Sequence, residues 1–239
     1  MGVAYEDSYL KVLEKNLNAS NDLADISMMS AGVAGSDPLF GYMLLRDKLL
    51  RFEPDLITLA INDSDVTDVI RRGGKERFLD DGSLRAAKPP ADEWLYELSH
   101  FYRFIKMALL GYDWLHLRRS ERERKIADAV DHLALTIADA RDLGVKEGFE
   151  LVVVLHPMRH ELTNGDYGRG LRELRDHLKE HQVSFVDLLP FYADSLASDD
   201  ETPSSLYWER DGHHNAPGYA LFAEGLEDYL RAQGIVTAR

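Results

Sequence analysis

The sequence predicts an α/β protein: a mostly parallel sheet covered by helices on both faces, in three layers (α/β/α, flavodoxin-like). Three observations predict it. Residues 55–61 (DLITLAI), 149–155 (FELVVVL) and 183–188 (VSFVDL) are short, mainly apolar runs, the pattern of strands buried on both faces. Helical patterns at 119–147 and 168–182 stand between them, and an amphipathic one at 216–231 closes the chain. The 239 residues, 45% of them hydrophobic, suffice for one domain with a sizeable core.

Nearer the start of the chain, residues 6–17 read as a helix, with Tyr9, Leu10, Leu13 and Leu17 on one side, ended by the polar run 18–22. A short apolar run at 25–30 (DISMMS) leads into a tight turn, AGVAGSDP. Pro38 suits the first turn of a helix that carries Leu39, Met43, Leu44, Leu45 and Leu50 and stops before Pro54. The stretch between Asn62 and Phe149 is too long for one crossover, so 1–239 is expected to be a single domain with a helical insertion at 64–148. Within it, residues 71–125 hold 13 Lys/Arg against 9 Asp/Glu, a net +4 in a chain of −14. The aromatic run 94–117 (WLYELSHFYRFIKMALLGYDWLHL) is expected to pack its apolar side on the body; the rival reading is a lid or docking surface for an anionic or apolar group.

Composition excludes whole classes. The acidic balance argues against nucleic acid as a partner. Without cysteine there is no disulfide, thiolate metal site or cysteine nucleophile. No apolar run reaches the roughly 18 residues that span a bilayer, and no signal peptide is visible. Localisation stays open, with the cytoplasm as the default.

In an open parallel sheet, ligands sit beyond the carboxyl ends of the strands. Three places there carry polar chemistry: SAGVAGSD (30–37), AIND (60–63), and LYWERDGHHNAPGYALFAEGL (206–226) with Asp211, His213 and His214 just before a helix. An Asp close to a His can orient an imidazole as a general base. Polar residues after strands are also common turn formers and caps. Adjacent residues seldom converge on one ion, so no metal is expected at the Asp211/histidine segment.

Taken in order, the three segments resemble the SGNH (GDSL-type) hydrolase superfamily of esterases, lipases, thioesterases and carbohydrate deacetylases. Ser30-Ala31-Gly32-Val33-Ala34-Gly35 resembles its glycine turn, Ala60-Ile61-Asn62-Asp63 its G-x-N-D block with alanine for glycine, and Asp211 to Gly218 its Asp/His block. The resemblance implies that the Gly35 N–H and the Asn62 amide are oxyanion-hole donors, that Asp63 holds the loop around Asn62, and that Asp211 orients the catalytic histidine. D-x-x-H spacing selects His214; the H-x-N-x-x-G count selects His213, which we take first because the helix start after Asn215 fixes the loop. No metal or organic cofactor is implied.

The family's nucleophile, a serine in G-D-S after the first strand, has no counterpart. Glu6-Asp7-Ser8 imitates its last two letters, but the residues before Ser8 cannot make a buried strand. Met1-Gly2-Val3 and Tyr5-Glu6-Asp7 resemble the family's residues just after that serine. The expectation is a serine upstream of this chain, with Met1 internal to a longer protein. The implied activity is cleavage of O-acyl or O-acetyl esters of a small molecule or carbohydrate, with this chain inactive for want of the serine. Acyl transfer to a sugar hydroxyl and a non-catalytic binding module are the alternatives.

Overall fold

The computed structural model describes residues 2–19, 26–81, 83–85, 90–113, 115–199, 201–210 and 212–236. Three parallel strands form the sheet in the order β1 (Leu56–Ile61), β2 (Glu150–Leu155), β3 (Phe185–Asp187). Leu56 lies opposite Glu150 and Ile61 opposite Leu155, while Val153 lies opposite Phe185. In the central strand, residues 151–155 are wholly buried, as a continuous Val/Leu run requires.

Helices cover the sheet in two groups. α6 (Arg119–Glu147) packs against α2 (Pro38–Leu44), α3 (Asp63–Arg72), α8 (Arg169–Glu180) and β2. α10 (Ala216–Ala232) packs against α1 (Tyr9–Ala19) and α9 (Leu188–Asp199), and α9 reaches β2. The three-layer α/β/α fold is therefore present. α7 (Arg159–Asn164) bridges β2 to α8.

The apolar run at 25–30 joins no ladder among the described residues; Asp25 itself lies outside them. Side chains of α1 take its backbone groups instead: Asn18 pairs with both the N–H and the C=O of Ile26, and the Glu14 carboxylate accepts from Met28 N at 2.6 Å. Within 64–148, α3 and α6 pack in the layer beside the sheet, and residues 74–78 return to it through Gly74 against His132, Lys75 with Asp139 and Arg77 with Asp37. The insertion's short helices, α4 (Glu93–Leu98) and α5 (His100–Phe104), pack mainly on each other and on the turn at 105–109.

β1 is an open edge. Glu150 N donates to Asp55 O and His156 N to Ile61 O, so alternate residues 55, 57, 59 and 61 face β2. Leu56, Thr58 and Ala60 turn their N–H and C=O groups away from it, and no ladder partner meets them among the described residues. Apart from Ile61, this apolar strand is only half-buried, an unusual exposure for a parallel sheet.

Candidate active site

β1 delivers Asn62. Its backbone stays extended, and it caps α3: Oδ1 accepts from Ser64 N at 2.8 Å, while the Asp65 carboxylate accepts from Asn62 N at 2.8 Å. This reciprocal capping box fixes the amide's orientation. Nδ2 is left pointing out, 3.2 Å from His156 Nε2. Burial pushes the Asp65 carboxyl up to about 7, with the nearby Asp68 and Asp37 charges adding to the effect.

His156 was not singled out in the sequence. It follows β2 as Asn62 follows β1, its N–H extending the ladder to Ile61 O at 3.1 Å; a polar residue closing a continuous apolar strand is the signal that could have found it. Desolvation pushes its imidazole down to about 4, so it is neutral near pH 7. Its Nε2 faces an amide donor, which makes Nε2 the acceptor and puts the proton on Nδ1. That Nδ1 is buried with no partner among the described residues.

Beside it lies His214, the ring centroids 5.4 Å apart. His214 is 5% exposed and sits among Tyr207 at 4.5 Å, Tyr192 at 5.5 Å and Tyr219 at 5.5 Å. Desolvation, and after it the neighbouring His156 and His213, push it down to about 2. Its Nε2 is also buried without a partner among the described residues. Each such orphan costs about 1–3 kcal/mol and calls for a polar group that meets it. His213 is exposed, and Asp211 lies outside the described residues.

The segment around His214 is held from both ends. Asn215 caps α10 by accepting from Gly218 N at 3.0 Å, and its amide donates to Ser205 O at 2.7 Å. Gly218 is required by contact: a Cβ there would fall 2.1 Å from Leu206 O and 2.9 Å from His214 Cδ2.

The remaining candidates divide. Gly35 adopts φ +71° in an exposed turn closed by Ser36 N to Val33 O at 3.0 Å. Two residues on, buried Asp37 anchors the turn through Arg77 at 2.6 Å and Arg72 at 3.2 Å. No hydrogen bond joins Gly35 to Asn62 among the described residues. Asp63, raised by burial, lies with His160 and Glu161 in a group whose ligand atoms fall within 4.8 Å of one another, the one such group among the described residues that could hold a metal. The Glu161 oxygens already accept from Met158 N at 2.9 Å and Gly168 N at 2.6 Å, so the group anchors a loop. Ser8 Oγ donates to Tyr5 O at 2.7 Å and meets neither His156 nor His214.

The fold that carries this amide and these two imidazoles has counterparts among solved structures. A protein assigned to the lipolytic G-D-S-L family, from Desulfitobacterium hafniense DCB-2, matches with a TM-score of 0.52 at 12% identity over 94% of this chain and 89% of its own. An acetylxylan esterase from Geobacillus stearothermophilus matches at 0.55 and 12%, over 93% and 80%. The fold is that of the SGNH hydrolases. An alpha/beta hydrolase enzyme from the metagenome of Lake Arreo, Spain, is similar at 0.57 and 14%, over 97% and 84%. No family profile matches the sequence, and no curated protein sequence does. Within the SGNH fold, β1 and β2 are the strands that bring Asn62 and His156 together.

Proposed function

We propose that the chain is the body of an SGNH-type ester hydrolase acting on O-acyl esters, with acetylated carbohydrate as the leading substrate class. The Asn62 amide beside His156 and His214 carries this reading. In it, Asn62 is an oxyanion donor: one Nδ2 hydrogen is held by His156, and the second is left for the substrate oxygen. Gly35 N–H is the other donor. His214, rather than His213, is the base, because its orphaned Nε2 lies in the cluster with His156 while His213 is exposed.

The nucleophilic serine lies upstream of this chain, on a strand that pairs with the open edge of β1. Such a strand would meet the free groups of Leu56, Thr58 and Ala60 and end level with Asn62. Serine Oγ attacks the acyl carbon as its proton passes to His214 Nε2, and the carbonyl oxygen takes the negative charge. Collapse expels the alcohol, which recovers the proton from His214; water repeats the sequence on the acyl-serine. Asp211 stabilises the imidazolium. Asp63 holds the loop that follows Asn62.

The test is hydrolysis of p-nitrophenyl acetate. The 239-residue chain is expected to match its His213→Ala/His214→Ala variant. The protein expressed from a reading frame extended upstream of Met1 is expected to turn over. An extended protein that folds and binds acetylated oligosaccharide without hydrolysing it would favour the binding module.

A further inference from the structure

The insertion is built inside-out. Its interior is polar: Lys106, one of the most buried charged residues in the protein, pairs with Asp92 at 2.5 Å and approaches His116 Nδ1 at 3.3 Å. Its outer side is apolar. Leu98 is 80% exposed and Phe101 72%, and Trp94, Phe104, Leu109 and Leu110 are each more than half exposed. In the run 94–117, expected to pack its apolar side on the body, these six side chains therefore face solvent; an amphipathic pattern shows that two faces differ, not which one turns inward. Charge is ordered along this stripe. Glu93 and Glu97 flank its start, while Leu110 at its end shares a surface depression with Arg118 and with Arg119, the latter paired to Glu123 at 3.5 Å.

We propose that this face is a two-fold interface with a second copy of the chain. The six side chains expose roughly 800 Å², above what a monomer ordinarily leaves open and close to one partner's share of a standard interface. The stripe is self-complementary only when two copies run antiparallel. Trp94 and Glu97 of one then meet Leu110 and Arg118 of the other, and Phe101, midway along the stripe, packs on its own counterpart at the axis. A two-fold axis requires that reciprocity. An anionic bilayer would reward the basic end but repel the acidic one, so the ordered charge favours a second copy. Ile126 packs the first turns of α6 on the core, while α4 and α5 pack mainly on each other and on 105–109, so the stripe lies off the helical layers. Pairing there leaves the helical layers uncovered. The inference is independent of the proposed esterase activity.

Sedimentation velocity of the 239-residue chain tests it. A dimer is expected at about 10 µM. Phe101→Asp should give a monomer with unchanged circular dichroism, since that side chain is exposed. Glu97→Arg should raise the dimer Kd about fivefold, and adding Arg118→Glu should bring it back to within about twofold, as a rim ion pair swapped across the axis requires. A monomer at about 100 µM overturns the proposal. So does a dimer indifferent to Phe101→Asp. A monomer that co-sediments with phosphatidylcholine–phosphatidylglycerol vesicles assigns the face to a membrane and overturns it too.

Discussion

Replacing His156 with glutamine should change how stability depends on pH more than it changes stability at pH 7. The glutamine carbonyl can still accept from Asn62, but it cannot be protonated. Above the ordinary histidine value of 6.5, the imidazole is neutral whether the chain is folded or not. Below it, the unfolded chain takes up a proton that the folded chain refuses until about 4. A lowered histidine therefore supports the fold above pH 6.5 and withdraws that support as the pH falls toward 4. The slope is about 1.4 kcal/mol per pH unit for one proton, or about 3 kcal/mol across the window. Asp65 acts in the opposite sense, since its carboxyl, raised from 3.8 to about 7, keeps a proton that the unfolded chain has released. Subtracting the variant's curve from that of the parent cancels Asp65 and the groups that do not touch His156; His214 is held down mainly by its own desolvation. Urea unfolding at half-unit steps from pH 7.5 to 4.5 supplies both curves. The difference should be flat above pH 6.5 and fall by about 1.4 kcal/mol per unit below pH 6. A flat difference down to pH 4.5 would refute the buried neutral histidine.

Three further outcomes follow from contacts. Gly218→Ala drives a Cβ into the Leu206 carbonyl and should cost about 2–4 kcal/mol, lowering the melting temperature by roughly 5–12 °C. Gly41→Ala lies in a helix with nothing within 4 Å and should be neutral or stabilising by up to about 1 kcal/mol in the same melt. Arg77→Met removes the closer of two cations from fully buried Asp37 and should cost about 3 kcal/mol in urea unfolding; a loss below about 0.5 kcal/mol, the range of an ordinary surface change, would mean Arg72 alone suffices.

Much of the fold was legible because local pattern and tertiary role agree. The pattern at 119–147 coincides with α6, which ends in Gly148 at φ +86°. α9 escaped notice because LLPFYADSLASD follows β3 with no break, its Pro190 sitting in the first turn where proline is tolerated. Asn62 stood out through its motif, whereas His156 belongs to none. The two counts for the histidine could not be separated in one dimension; in three, His214 is buried and His213 exposed, which is why the proposed function takes His214. The open edge of β1 was hidden for another reason: an apolar strand reads alike whether one neighbour covers it or two.

The most direct measurement compares p-nitrophenyl acetate turnover by the upstream-extended protein with that of its His214→Ala and Asn62→Ala variants. Turnover should fall by about 10³-fold or more without the base and about 10²–10³-fold without the oxyanion donor. The 239-residue chain alone should give none above its double-alanine control. Appreciable turnover by that chain, or an extended enzyme indifferent to His214, would contradict the assignment.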